Sequence, residues 1–288
     1  MTRHAVLAPG GVGALIGAAL ARARGDVVVL IRPGSIESYP GRIRVESVVL
    51  GSFDVEVPAM SYLERATDVL WVTPKATALD QALTLAPPEK VGDAIVVPLL
   101  NGVDHIDVLR RTYRRVAAGA IRVESERGRD WTVHQKTPFL RIDLGPEGDE
   151  IAADVRAAGM ECVVHGDDAS VLWEKLAILA PFALATTAAR GPMGDVRADP
   201  RLLHLLERAR SEVVAVARAQ GVEIDESPLK AMHASVPDSI RTSMQKDVAA
   251  GREPELDAIA GPILRGGELH GIDVSATREL AALVSANR

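Results

Sequence analysis

Several things are scarce in this chain of 288 residues. Cysteine is one of them: Cys162 stands alone, so no disulfide can form within the chain, and a reducing compartment fits. Aromatic residues make up only 3%, so a core must be built mainly from Ala, Val, Leu and Ile. Basic charge is outnumbered, with 33 Lys and Arg against 39 Asp and Glu and a formal net charge of -6. No basic stripe offsets that balance, which argues against a nucleic-acid partner. The histidines are scattered and form no metal-ligand spacing, so no metal is expected. Long apolar runs are also missing. The uncharged stretch Ala5 to Ala21 is broken by Pro9, Gly10, Gly11, Gly13 and Gly17, and fits neither a signal segment nor a membrane span. The other one, Leu176 to Ala189, falls short of the ~20 residues that cross a bilayer. A soluble, cytoplasmic protein with no membrane partner is the expectation.

What is present is a pattern of short buried strands and glycine turns. "HAVLAP" reads as a strand, Ala14 to Arg24 as a small-residue helix stopped by Gly25, and "DVVVLIR" as a strand buried on both faces. Strand, glycine turn, helix and strand follow within one βαβ length. Further strand patterns lie at 42–50, 54–58, 68–73, 94–100 and 117–125, and "WTVHQ" and "FLRIDLG" read as a late antiparallel pair. Residues 1–166 are therefore expected to form an α/β, doubly wound, Rossmann-like domain. From 167 to 288 the pattern turns helical. In the clearest stretch Asp199 caps, Pro200 suits the first turn, and Gly221 ends the helix. Its apolar stripe runs through Leu202, Leu205, Leu206, Ala209, Val213, Val216 and Ala217. Such stripes can face their own domain or a second copy in a homodimer. No internal repeat is visible.

The glycine loop carries the first chemistry. Aligned on its last two glycines, the dinucleotide fingerprint G-x-G-x-x-G becomes Ala8-Pro9-Gly10-Gly11-Val12-Gly13. Gly10 would let the backbone approach a pyrophosphate, and Gly13 would let the helix pack on the strand. The helix N-terminus adds N–H donors and positive potential. Ala8 replaces the first glycine and precedes a proline, which predicts an extended backbone there. The rival reading is a tight turn with no ligand. Arg32 ends the second strand where an acidic residue would bind the ribose of NAD. An arginine suits the 2′-phosphate of NADP(H), the expected cofactor; a solvated strand end is its rival.

An ordered set of motifs then resembles the ketopantoate reductase (2-dehydropantoate 2-reductase) family. It comprises the loop Pro9–Gly13, Arg32, "VTPKA" (72–76), "LLNGV" (99–103), "WEKL" (173–176), "GPMGDV" (191–196) and "SMQKDVAAGREPELDAIAG" (243–261). The resemblance implies a Rossmann domain followed by a helical domain like the C-terminal part of 6-phosphogluconate dehydrogenase. It implies NADPH-dependent reduction of a 2-oxo acid, ketopantoate to pantoate in pantothenate biosynthesis. Lys175 would be the general acid to the forming alkoxide and Glu255 the active-site carboxylate. Asn101, Ser243 and Lys75 would meet substrate. Pro9, Gly10, Gly11, Val12, Gly13, Arg32, Lys75, Asn101 and Glu255 would line the cofactor. Each has a plainer reading: Lys175 and Lys75 as solvated lysines, Ser243 as a helix cap, Glu255 as a first-turn acid, Asn101 as part of an Asn-Gly turn.

The pattern also departs from the family. Asparagines usually follow the lysine by four and eight residues, and another lies in "E-I-D-x-I-N-G"; here Leu179, Ala183 and Ala260 stand instead. Pro181 should bend the lysine's helix and free the Ala177 carbonyl. That carbonyl, Thr186 or Thr187 is expected to stand in for the missing amides. A more apolar 2-oxo acid or ketone is thus a second expectation, and a non-catalytic NADP-binding sensor a third.

Overall fold

A computed structural model describes residues 1–287; Arg288, within the expected 167–288 domain, lies outside the described residues. The chain clusters into two compact units. One comprises Met1–Leu100 and His105–Val171; the other comprises Asn101–Asp104 and the chain from Leu172 onward.

The first unit is built on a six-stranded, all-parallel sheet in the order β5-β2-β1-β6-β7-β8. Its strands are β1 (Arg3–Leu7), β2 (Asp26–Leu30), β5 (Ala59–Met60), β6 (Val69–Val72), β7 (Ile95–Pro98) and β8 (Arg115–Val116). β1 pairs with β2 through Val6 and Val29, and with β6 through Val6 and Trp71. Continuous apolar runs suit strands covered on both faces, and β6 and β7 are buried throughout. Helix α1 (Gly11–Arg22) lies against this sheet, and even a Cβ on Gly17 would rest at ordinary contact distance, 3.4–3.8 Å, from Val6, Val29 and Val27. Short helices α2 (Pro33–Ile36), α3 (Leu79–Leu83), α4 (Pro88–Val91) and α5 (His105–Thr112) fill connections.

The other face of α1 is covered by a second sheet, ordered β10-β11-β3-β4, with β3 (Arg42–Ser47), β4 (Gly51–Glu56), β10 (Ser125–Arg127) and β11 (Thr132–Gln135). β3 explains this placement. Ile43 and Val45 are buried while Arg42 and Arg44 are exposed, a period of two that suits a sheet wet on one side. A third sheet, β13-β12-β9, joins β9 (Gly119–Arg122), β12 (Arg141–Leu144) and β13 (Glu161–Val164), with α6 (Asp149–Ala157) between the last two in sequence. The expected antiparallel pairing of "WTVHQ" with "FLRIDLG" does not occur. β11 pairs in parallel with β3, and β12 pairs with β9 and β13. Alternation revealed both strands, but nothing local encodes which distant strand each will meet.

After β13 every described element is helical: α7 (Asp168–Ala188), α8 (Met193–Ala198), α9 (Pro200–Ala219), α10 (Glu226–Ser235), α11 (Ser243–Ala249), α12 (Leu256–His270) and α13 (Ser275–Ala286). Asp199 caps α9 by accepting from the backbone N–H of Arg201 at 2.8 Å and of Leu202 at 3.2 Å. The α9 stripe predicted from sequence is buried throughout, within the chain itself. Its Glu212 carboxylate accepts from the N–H groups of Ala276 and Thr277 at 2.8 and 2.7 Å, capping α13. α7 runs through Pro181 as one helix. By length and composition α7 could cross a membrane, yet 67% of its most apolar window is buried in the protein, as in a core helix.

Candidate active site

In the first unit the glycine loop joins β1 to α1. Ala8 has φ +57, so it takes the left-handed conformation a glycine adopts freely, and the extended backbone expected before Pro9 is not formed. An alanine pays about 1–2 kcal/mol there, and its neighbours fix it in place. Its N–H donates to the Leu30 carbonyl at 3.1 Å, and its carbonyl accepts from Gly10 N–H at 2.7 Å. The Thr73 hydroxyl spans the carbonyls of Leu7 and Ala8 at 2.8 and 3.3 Å. Tertiary hydrogen bonds thus override the local preference set by the proline.

The remaining glycines differ in what they face. A Cβ on Gly13 would lie 2.2 Å from Thr73 Oγ1 and 3.1 Å from Val6 Cγ1, so the helix can sit on β1 and β6 only without one. A Cβ on Gly11 would lie 2.3 Å from the Ser125 carbonyl oxygen of β10. Gly10, the residue before α1, would meet nothing within 4 Å. Open space therefore fronts the residue whose backbone a phosphate would approach. No side chain caps this helix end, and its first turn holds no acidic residue. Free N–H groups and the helix dipole favour an anion there. Pro9 is buried and Val12 half-buried in the same turn.

Arg32 follows β2 and is exposed, and among the described residues no carboxylate pairs with it. Its charge remains available to a ligand. Lys75 is exposed beyond the end of β6, where its carbonyl accepts from Ala78 N–H at 2.9 Å. Arg127, which sequence reasoning passed over, reaches the loop: its Nε donates to the Pro9 carbonyl at 3.1 Å.

In the second unit the "LLNG" turn is fastened to α12. Asn101 Nδ2 donates to Glu255 Oε2 at 3.1 Å, linking residues 154 positions apart. Gly102 has φ +86, and a Cβ there would lie 2.2 Å from the Ala258 carbonyl oxygen. Asp104 pairs with Arg265, which also donates to Asp257 at 2.8 Å. Glu255 is 8% exposed and precedes α12 without capping it by a side-chain bond. Its carboxylate lies beside a helix N-terminus, where negative charge is favoured. Asn101 and Glu255 are therefore a built pair.

Lys175 lies in the early part of α7, half-buried between the buried Trp173 and Leu176. Ser243 is exposed at the first position of α11 and is not its cap. Thr242 caps instead, its hydroxyl accepting from Gln245 N–H at 3.3 Å and lying 3.0 Å from Thr186 Oγ1.

Two of the expected substitutes for the missing amides spend their hydroxyl protons within their own helix. Thr186 donates to the Phe182 carbonyl at 2.8 Å and Thr187 to the Ala183 carbonyl at 2.7 Å, both within α7. A threonine in a helix commonly turns its hydroxyl back in this way. Ala183 and Ala260 are buried and Leu179 half-buried.

Two polar side chains went unnoticed in the sequence. His233 is 2% exposed, and its Nε2 lies 2.9 Å from the Ile178 carbonyl of α7. Burial holds its pKa below the usual histidine value, so Nε2–H donates, and among the described residues the enclosed Nδ1 has no partner. Nothing in its local sequence marks it. Gln245 Oε1 is likewise enclosed and, among the described residues, unpartnered. Here a signal existed, because Thr242-Ser243-Met244-Gln245 spells a capping box. Only the threonine half of that box forms.

The chain is similar to known proteins over its whole length. A family described as ketopantoate reductase PanE/ApbA matches residues 4–148, and its C-terminal counterpart matches residues 169–288. A 2-dehydropantoate 2-reductase of Caulobacter vibrioides is 30% identical over 99% of both chains. Another, from Archaeoglobus fulgidus, is 26% identical over 98% of this chain and 96% of its own. Among solved structures, a PanE/ApbA family ketopantoate reductase of Ralstonia eutropha superposes with a TM-score of 0.89 at 27% identity, covering 99% of this chain and 98% of the other. A D-mandelate dehydrogenase solved with NADH and anilino(oxo)acetate shares the fold at 18% identity, with a TM-score of 0.85 over 99% of this chain and 97% of that one.

Proposed function

The chain belongs to the ketopantoate reductase family, an oxidoreductase acting on a CH–OH group, and from that premise we propose that it uses NADPH to reduce a 2-oxo acid to the 2-hydroxy acid. Ketopantoate, yielding pantoate, is the first substrate to try. The reading assigns cofactor binding to residues 1–166 and catalytic chemistry to 167–288, in a cytoplasmic enzyme that assembles as a homodimer. Sedimentation of the purified chain tests the assembly.

The observation that carries the reading is the Asn101–Glu255 hydrogen bond. A mostly buried carboxylate and an amide from a distant turn meet, and the carboxylate does not cap its helix by a side-chain bond. A buried charged group adds little net stability for its desolvation cost, and such groups cluster where ligands bind or protons move.

A bound reduced nicotinamide supplies the hydride that adds to the C2 ketone carbon. The residues answer the charge that results. Lys175 gives a proton to the ketone oxygen as it becomes an alkoxide, so that a C–H and an O–H bond form as the C=O π bond is lost. Glu255, held by Asn101, accepts from a hydroxyl or ammonium donor. Ser243 donates to the substrate carboxylate and orients it. Gly10 and the N–H groups of α1 hold the pyrophosphate, and the unpaired Arg32 holds the 2′-phosphate that distinguishes NADPH from NADH.

A second reading keeps this chemistry and changes the substrate to a 2-oxo acid without a hydroxyl at C4. Leu179, Ala183 and Ala260 favour it, because they offer no polar atom to such a hydroxyl, and an unmatched buried polar group costs about 1–3 kcal/mol. A panel of 2-oxo acids with NADPH separates the readings. Ketopantoate turned over with kcat/KM of roughly 10⁴–10⁸ M⁻¹s⁻¹ supports the first. A branched or aromatic 2-oxo acid preferred over ketopantoate supports the second. Tight NADPH binding with no turnover of any panel member removes both and leaves a sensor.

A further inference from the structure

The β10–β11 hairpin carries a cation that the scheme above leaves unused. Arg127 is half-buried, and among the described residues no carboxylate neutralises it. Its Nε donates to the Pro9 carbonyl at 3.1 Å and its Nη1 to the Gly128 carbonyl at 3.0 Å. The guanidinium lies over the Trp131 ring, 4.0 Å from the centroid. Tyr39 packs against the same indole in a T-shaped arrangement, with centroids 4.5 Å apart at 69°. One row of contacts therefore runs from the segment after Arg32, through Trp131 and Arg127, to the glycine loop.

The fold accepts strain to keep this row. Trp131 has φ +64, a conformation that costs a bulky L-residue about 1–2 kcal/mol. Asp130 holds the turn by accepting from Thr132 N–H at 3.2 Å and from its hydroxyl at 2.8 Å. The indole is 5% exposed, so it gives a rigid platform on which the guanidinium has little freedom. β10 also backs the loop directly, since its Ser125 carbonyl occupies the place a Cβ on Gly11 would need. Burial pulls the Arg127 pKa below the usual arginine value, the mark of a charge that is only partly solvated. A partly desolvated cation without a counter-ion is costly, and an anion arriving at the loop relieves that cost.

We propose that Arg127 is a positioning residue for the dinucleotide pyrophosphate, holding the glycine loop through the Pro9 carbonyl and contributing a fixed positive charge beside it. The inference rests on the reading that the first unit binds a nicotinamide dinucleotide. Arg32 acts on the 2′-phosphate alone, whereas Arg127 acts on the part that NADPH and NADH share. The two arginines therefore have different signatures.

Calorimetric titration of the full-length chain with NADPH and with NADH reads them. Arg127→Met is expected to raise both Kd values by the same factor, about tenfold, the worth of one charge-assisted contact. Arg32→Ala is expected to raise the NADPH value alone. In turnover, Arg127→Met should raise the KM for NADPH and leave kcat at saturating cofactor near that of the parent. Arg127→Lys keeps the charge but not the planar fork over the indole, and should fall between parent and Met variant. It decides the matter if the Met variant does not fold. Unchanged Kd values in a folded Arg127→Met, even with a lower melting temperature, would overturn the proposal. So would parent-like binding by Arg127→Lys, or a loss confined to NADPH. If the parent protein binds neither dinucleotide, the reading of the first unit fails and this inference falls with it, an outcome distinct from the others.

Discussion

The glycine loop of the first unit and the lysine helix of the second state their chemistry in different ways. On the proposed reading the backbone is the functional element of the loop. Gly10 leaves space, Gly11 yields to the Ser125 carbonyl, and Gly13 yields to Thr73 and Val6. In the helical unit the elements are side chains from separate segments, such as Asn101 and Glu255, joined by one hydrogen bond. Chemistry done by backbone must be spelled locally, because only glycine permits it. Chemistry done by side chains can be spread over the chain, because folding assembles it.

That contrast suggests several ways to break each region, taken from the largest expected effect on stability to the smallest. Gly13→Ala should be the most damaging. Its Cβ would be driven against a Thr73 hydroxyl pinned by two carbonyls, and a loss of about 3 kcal/mol, the upper end for overpacking, should appear in urea unfolding. Dinucleotide binding should weaken with it. A loop that accepts the methyl without loss would mean that the helix need not sit so close.

Asn101→Ala is the matching change in the helical unit. It removes one donor from a buried carboxylate, and about 1–2 kcal/mol should be lost. Turnover should fall further than stability does. Equal losses in both would make the pair a structural one.

Each unit also holds a buried neutral histidine, His4 in the first and His233 in the second, and burial lowers the pKa of both. Unfolded histidine takes up its proton near pH 6.5, while these folded side chains resist it. The unfolded state therefore binds more protons below that pH. Stability should be full above about pH 6.5 and decline as the pH falls, by up to about 1.4 kcal/mol per pH unit per histidine. Melting followed against pH should show His4→Gln with a shallower decline than the parent. An unchanged slope would mean that His4 is protonated in the fold.

Ala8→Gly should be mildly stabilising. Relief of the left-handed alanine, about 1–2 kcal/mol, exceeds the extra chain entropy of glycine, about 0.5–1 kcal/mol. A small rise in melting temperature is expected, and a fall would mean that Ala8 is not strained.

How much of this could be read from the letters follows the same division. The parallel sheet, the α1 turn and the capped α9 were legible, because apolar runs, glycines and Asp199-Pro200 act within a few residues. Arg32 stands out in the letters because it follows a recognisable strand, and it lies exposed two residues past the end of β2. Ala8 was misread, since the rule for residues before proline is local and the bonds from Leu30 and Thr73 are not. The partners of β11 and β12 were misread for the same reason. Asn101 and Glu255 were named only through resemblance to a family; nothing in either segment announces that they touch. Thr186 and Thr187 each turn the hydroxyl proton back to a carbonyl of their own helix, a local bond that the letters alone do not announce. His233 and Arg127 left no sequence signal, because their importance lies in carbonyls supplied by Ile178 and Pro9.

Lys175→Ala should disturb the fold least and the rate most. The most direct measurement is to follow NADPH binding and 2-oxo acid reduction in that one variant. Binding within about twofold of the parent, with kcat lower by a factor of roughly 10²–10⁴, is the predicted result. Turnover that survives the substitution, or that falls only in proportion to lost NADPH binding, would contradict a proton-donating role for Lys175.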